Sequence, residues 1–428
     1  MINFLKSKVK GKSDILYVVT LLYDAALNIL IFTVARGLAE QNSSLLVMGI
    51  FGAGISLFFA FSSLGFGRVA DKMQRKKMLM YLGLLLLFVC TVIIKFLDIG
   101  STASMIIYGL SGGSAGLLYP ALLSWLNHKE PGKTDVKGVS SIVVKFCISW
   151  NMGMIFGNYA AGKLYSVSSE FPLYVGAGLC LVSLMLLYAV LPARPALNSA
   201  QEKSVPSAAL HPQIQRIDLV PEKQDVLRKN LFVKLSWVAN IGGAFVSSLI
   251  LYLFPKMAVE IGISPEQHAI ILGIMRAVII SIYLIMHSSR FWQYKFPVLL
   301  SLQGIAIMGL VFLYKSQNVF IIMFGFICIA CLTGHNYFAG MFYGNATDSS
   351  DNSGKLNGYH EGTIGLGIGL GSLFGGIIGT YYSLYAPYLF AVIVICAMVS
   401  IQLAMYTRYL MQKKASTESV IKVKETGL

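Results

Sequence analysis

The sequence predicts an all-α integral membrane protein of twelve transmembrane helices, arranged as two six-helix bundles with both termini cytoplasmic. Three observations predict it. The 428-residue chain is 56% hydrophobic and only 12% charged, about half the charge of a typical soluble chain, with a mean hydropathy of +0.69. Apolar runs of about 20 residues recur along almost the whole chain, and that length crosses a hydrocarbon core about 30 Å thick at about 1.5 Å per residue. Finally, 27 of the 34 Lys and Arg fall in segments that share one side of the membrane if the N-terminus is cytoplasmic, as topology bias requires.

Span 1 covers 15–35, with Asp24 near its middle and Asn28 one turn further on. The lysines before it resemble the start of a signal peptide, but the apolar run is long and lacks a small-residue cleavage site, so it reads as a span. Span 2 covers 45–67 and runs into the basic stretch GRVADKMQRKK, Gly67 to Lys77. Span 3 covers 78–97. Span 4, 102–125, contains YGLSGGSAGLLYP, which brings Gly112 and Gly116 near one stripe; span 5, 139–162, carries Lys145, Trp150, Gly153 and Gly157. Span 6 covers 172–192. The segment 194–230 contains Pro195, Pro206, Pro212 and Pro221 among polar residues and reads as a linker. It separates an N-terminal bundle, 1–193, from a C-terminal bundle with a cytoplasmic tail, 231–428.

In the second half, span 7 covers 231–255, with Trp237 and Tyr252 as candidate cavity aromatics, and span 8 covers 266–287, with Arg276 near its middle. Span 9 covers 296–314. Span 10, 319–344, holds His335, Tyr337 and Tyr343; span 11, 357–381, holds His360, Glu361 and the four-residue glycine series Gly367, Gly371, Gly375 and Gly379. Span 12 covers 387–410. Small residues at that interval permit close helix contact and suit surfaces that slide or rock. Ionisable residues inside a membrane are expensive and ordinarily pair, face a cavity or carry ions. Asp24, Asn28, Lys145, Arg276, His335, His360 and Glu361 are therefore the substrate and ion-coupling candidates.

The remaining features exclude functions. The net charge of +15 is spread over short loops on one membrane face, which lipid and topology explain, so no nucleic-acid partner is implied. All six cysteines fall inside spans, without disulfide or metal-ligand spacing. His360-Glu361 begins like a zinc-protease helix, but Ile364 stands where the second histidine would be. No metal or cofactor is implied. No phosphate-cradling glycine loop appears, which favours gradient-driven over ATP-driven transport.

The stretch Gly67-x-x-x-Asp71-Lys72-x-Gln74-Arg75-Lys76 resembles the loop signature of the major facilitator superfamily, G-x-x-x-D-(R/K)-x-G-R-(R/K), with Gln74 in place of the usual glycine. The resemblance covers the whole chain, since it includes the six-plus-six plan and the long central loop. It implies that Asp71 latches the N-terminal half to the start of helix 11, near Asn357 to Tyr359. Helices 1, 4, 7 and 10 would line a central cavity and 2, 5, 8 and 11 flank it, bringing Asp24 and His335 closest to the path. On that basis Asp24 with Lys145 is expected to form a switchable ion pair, and Glu361 with His335 or His360 a proton-sensitive pair. Drug antiporters of the family carry R-x-x-Q-G on helix 4, but here Tyr108, Ser111 and Gly112 occupy those positions. The reading is an alternating-access carrier, not an enzyme, that moves a small organic solute, anionic or zwitterionic because Lys145 and Arg276 are basic, with H⁺ or Na⁺ as coupling ion. It is expected as a monomer in a bacterial inner membrane. Lipophilic-compound efflux and a non-transporting membrane sensor or scaffold are the alternatives.

Overall fold

A computed structural model describes residues 12–73, 76–129, 136–190, 219–347 and 353–426. Among these residues the chain forms twelve long helices and no strand. They are α1 (Lys12–Glu40), α2 (Leu45–Lys72), α3 (Lys76–Lys95), α4 (Thr102–Lys129), α5 (Val136–Tyr165) and α6 (Phe171–Val190), then α7 and its extension. After these come α8 (Pro265–Ser288), α9 (Phe296–Lys315), α10 (Val319–Thr347), α11 (Ser353–Tyr381) and α12 (Ala386–Thr426). Helix α7 runs Leu219–Ser248, passes through a π-helical turn at Leu249–Leu253 and continues as Phe254–Glu260. The turn has a local cause, because Pro255 cannot donate to the ladder and crowds the carbonyl four residues earlier, so the helix widens just before it.

Eleven of the helices are long and apolar enough to cross a membrane. The exception is α5, whose hydropathy is lowered by Lys145, Asn151 and Asn158. Helix α7 begins at Leu219, inside the stretch expected to be linker. Residues 194–218 of that linker, with 191–193 before it, lie outside the described residues. The starts of α2 and α8 follow from side-chain caps. Ser44 Oγ accepts from Val47 N (3.3 Å), and Ser264 and Gln267 cap each other's backbone N–H groups, with Pro265 at the first turn of α8.

Helices α2 and α11 pack along their whole length and join the two halves. A Cβ on Gly67 would lie 2.7 Å from the Gly354 carbonyl oxygen and 2.9 Å from Gly358 Cα. At the other end a Cβ on Gly49 would lie 2.5 Å from the Ser372 carbonyl oxygen. Only glycine admits backbones this close. All six cysteines are free. With an even number of helices, both ends of the described chain reach one face, called here the termini face.

Candidate functional site

The motif that follows span 2 lies mostly at the end of a helix rather than in a loop. Helix α2 continues through Lys72, so Gly67 and Asp71, four residues apart, share one face. Asp71 accepts hydrogen bonds from Gly354 N (2.7 Å) and Lys355 N (2.8 Å), and Ser124 Oγ donates to the same carboxylate at 3.3 Å. The expected contact near Asn357 to Tyr359 is therefore corrected: the carboxylate caps the first turn of α11, where unpaired N–H groups and the helix dipole favour an anion. Tyr359 is instead met by Arg68, which donates to its hydroxyl at 2.6 Å. Lys76 donates to Ser124 Oγ (2.6 Å), Lys72 is exposed, and Arg75 lies outside the described residues.

The opposite face is also tied. Arg36, at the end of α1, donates through Nε to Glu40 (2.7 Å) and through Nη1 to the Ile263 carbonyl oxygen (3.0 Å) in the turn before α8. Tyr165 of α5 donates to the other oxygen of Glu40. Lys256 donates to Asn42 Oδ1, and Leu46 N donates to Thr380 Oγ1 (2.8 Å). Contacts between the halves thus tie both ends, and a cavity of about 170 Å³ lies between the halves, space for on the order of ten waters.

The cavity is walled by α1, α2, α4, α5, α7, α8, α10 and α11, with no residue from α3, α6, α9 or α12. Its charged residues are Asp24, Arg276 and Glu361. Tyr119 donates to Asp24 Oδ1 at 2.5 Å, and Asn28 Nδ2 donates to the Asp24 carbonyl oxygen at 2.9 Å. Tyr337 donates to Glu361 Oε1 at 2.7 Å. Arg276 is 7% exposed and lies 5.8 Å from the Trp150 ring centroid. It has no hydrogen bond or ion pair with another described residue. Aromatic rings from both halves, including Tyr119, Trp150, Tyr252, Tyr283 and Tyr337, complete the lining.

Both expected ion pairs are corrected. Lys145 is exposed, its ammonium 5.9 Å from the Tyr17 ring centroid, and no ion pair joins it to Asp24. The cause is register. Gly153 is the α5 residue level with Asp24, since a Cβ there would come within 2.9 Å of Asp24 Cβ, and Lys145 lies eight residues, about 12 Å, from it along the helix. Glu361 is met by Tyr337, not by a histidine. His360 is buried outside the cavity lining, its Nδ1 3.4 Å from Asn240 Nδ2. His335 lies off the path, its Nδ1 3.2 Å from Asn336 Oδ1 and its ring against Trp292, beside a second, very small pocket. Among the expected aromatics, Tyr252 and Tyr337 line the cavity and Trp237 and Tyr343 do not.

The glycines divide by partner. Gly112 and Gly116 seat α4 on α2, and Gly153 and Gly157 seat α5 on α1. Gly367 and Gly371 seat α11 on α7, within the second half; Gly375 meets Leu249 and Leu253, and Gly379 meets Leu45 and Pro387. Besides Gly379, the glycines that face α2 of the other half are Gly354, Gly358, Gly362, Gly365, Gly369 and Gly376, which the four-residue spacing does not single out. Sequence reading also missed Tyr119, whose only signal is its place beside Pro120, and Arg36, whose signal is Glu40 four residues on.

A family model described as Major Facilitator Superfamily matches residues 16–358. Several solved structures share the fold. A point mutant of the nucleoside transporter NupG aligns with a TM-score of 0.64 at 15% identity, covering 92% of this chain and 100% of that one. The human organic anion transporter MFSD10 aligns with a TM-score of 0.64 at 13% identity, covering 92% and 100%. A bacterial homologue of the human lysosomal transporter Spinster, inward-facing and unoccupied, aligns with a TM-score of 0.60 at 14% identity, covering 96% and 98%. No curated protein matches by sequence.

Proposed function

The chain belongs to the major facilitator superfamily, and from that premise we propose that it carries a small anionic or zwitterionic organic solute through the central cavity by alternating access, coupled to proton movement. Family membership makes it a multi-pass membrane transporter of small molecules; the solute and the coupling ion are our reading. A likeness at 13–15% identity carries the fold and not the solute, so the reading rests on the cavity.

One observation carries it. Arg276 is a buried guanidinium with no ion pair or hydrogen bond among the described residues, in a cavity shared by both halves. Its neighbours are the Trp150 ring at 5.8 Å and the charge of Asp24 in the same cavity; an acidic group on a bound solute would supply the direct hydrogen-bond acceptor that it lacks. Because α1, α4, α5 and α8 bring Asp24, Tyr119, Trp150 and Arg276 to one space, rocking the halves would change what surrounds the solute while leaving it seated.

For coupling, the two cavity carboxylates replace the Asp24–Lys145 pair. Each is met by one tyrosine O–H, Asp24 by Tyr119 and Glu361 by Tyr337. A carboxylate exposed alternately to the two faces loads and unloads a proton. One charge moved across about 100 mV supplies about 2.3 kcal/mol. We place the termini face in the cytoplasm because the Lys and Arg excess lies there, and we favour a bacterial inner membrane.

The test is a ligand-stabilisation screen of purified protein with sugars, amino acids, organic anions, phospho-compounds and cationic drugs, at one acidic and one alkaline pH. A ligand at about one hundred times its Kd stabilises by about 2.7 kcal/mol. We expect hits among anionic or zwitterionic solutes that disappear in Arg276→Ala. Hits confined to lipophilic cations would overturn the solute class and favour efflux of such compounds.

A further inference from the structure

Resting on the reading of the cavity as a solute site, we propose that its solute is specifically a zwitterion, an amino-carboxylate on an apolar body, held with its ammonium against α1 and its carboxylate against Arg276 of α8.

The unmet hydrogen-bonding capacity of the cavity is polarised. On α1, Asp24 Oδ2 and Asn28 Oδ1 are buried and lack any hydrogen-bond partner. The two residues are one turn apart and line the same cavity. The assignment of Asn28 Oδ1 as the acceptor follows from its amide nitrogen donating to the Asp24 carbonyl oxygen. This wall therefore offers two acceptors, one of them a carboxylate, and asks for a donor with at least two hydrogens. An ammonium has three. On α8, Arg276 offers only donors, in a planar fork that matches a carboxylate, and no described residue takes them.

The alternatives satisfy one wall and not the other. A simple anion would meet Arg276 but leave both α1 acceptors unmet. A simple cation would meet Asp24 and leave the guanidinium without an acceptor for its N–H groups, with the Trp150 ring at 5.8 Å as its neighbour. Leaving a buried acceptor or charge unmet is penalised, so only a solute with both charges satisfies the two walls together. The rest of the lining is largely apolar and includes the rings of Trp150, Tyr283 and Tyr337, which suits a flat or apolar body. Glu361, already met by Tyr337, is left as the carboxylate free to carry the proton.

The test compares three probes that share one body: L-phenylalanine, with both charges; 3-phenylpropanoate, with the carboxylate alone; and phenethylamine, with the amine alone. Each is titrated into purified full-length protein and the thermal shift is read. We expect L-phenylalanine to bind tighter than either analogue by roughly tenfold or more, the value of one charge-assisted hydrogen-bonding group. Asp24→Asn is expected to erase its advantage over 3-phenylpropanoate, and Arg276→Gln its advantage over phenethylamine. Asn28→Ala, a milder change that keeps the carboxylate, is expected to reduce the first advantage in part, and it keeps the test decisive if Asp24→Asn fails to fold. Equal or tighter binding of 3-phenylpropanoate would overturn the zwitterion while leaving an anion carrier standing. Tightest binding of phenethylamine would overturn both. Failure of all three, with hits among other anions in the wider screen, would overturn the zwitterion alone.

Discussion

At the residue scale, the two cavity carboxylates each rest on a single side-chain donor. Asp24 has one side-chain donor, Tyr119, at 2.5 Å. Tyr119→Phe keeps the ring and removes that donor. It is expected to destabilise the protein by about 1–3 kcal/mol, the cost of a buried polar group left unmet, read as a lower melting temperature. Lys145 has the opposite expectation. It is exposed and about 12 Å along α5 from the level of Asp24, so Lys145→Ala should leave both ligand affinity and stability within about 0.5 kcal/mol of wild type. A matching loss in the two variants would restore the ion pair that the structure replaces with a tyrosine. Identity was legible here and partnership was not. The sequence places Asp24, Arg276 and Glu361 inside spans, and the cost of burying charge singles them out. Which side chain meets them depends on the rotation and axial register of neighbouring helices, set by contacts such as Gly153 on Leu21 and Asp24 that no single span announces.

At the element scale, helix pairs are set by where backbone touches backbone. A Cβ on Gly112 would fall 1.8 Å from the Ile55 carbonyl oxygen, whereas a Cβ on Gly379 would first meet the flexible end of Leu45 at 2.5 Å. Gly112→Ala should therefore cost more than Gly379→Ala: at least about 1–3 kcal/mol for the former, since the α2 backbone must shift. Melting curves of the two variants in the same detergent check the order. Asp71 caps α11 from the neighbouring helix, so Asp71→Asn, which removes the charge, should weaken the α2–α11 contact by about 0.3–2 kcal/mol. Asp71→Ala should weaken it further, as Gly354 and Lys355 N–H lose their acceptor; protection of those two amides from hydrogen exchange is the direct readout. Spans were legible because apolar length is local and strong, and GxxxD followed by cations marked the α2 end. The glycine series was only half legible. Gly367, Gly371, Gly375 and Gly379 stand out by spacing, yet of these only Gly379 meets α2, whereas Gly354, Gly358, Gly362, Gly365, Gly369 and Gly376 face the other half from a neighbouring stripe of the same helix.

At the scale of the whole molecule, the two ends are held by chemically different ties. The termini face uses Asp71 on the start of α11, with Arg68 on Tyr359. The opposite face uses Arg36, held by Glu40 and aimed at the Ile263 carbonyl oxygen, with Lys256 on Asn42. Exposed pairs such as Lys163–Glu266 (3.5 Å) contribute little, so the buried Arg36 is the stronger tie. Arg36→Ala should shift the population toward opening at the opposite face and Asp71→Ala toward opening at the termini face. Distances between spin labels placed across each end should lengthen at one end in the first variant and at the other end in the second. The six-plus-six plan foretold that such ends exist. Arg36 was hidden because one cation at a span terminus is indistinguishable from a topology signal until α7 and α8 are brought to it.

The central claim is that the cavity between the halves carries a solute across the membrane, and flux tests it most directly. The tightest ligand from the stabilisation screen would be loaded outside proteoliposomes containing wild type or Arg276→Ala, with and without an imposed pH gradient. Saturable, gradient-dependent accumulation is expected in wild type, and its loss in Arg276→Ala. A ligand that binds wild type tightly but crosses in neither direction would contradict the claim and leave a membrane sensor on a transporter fold.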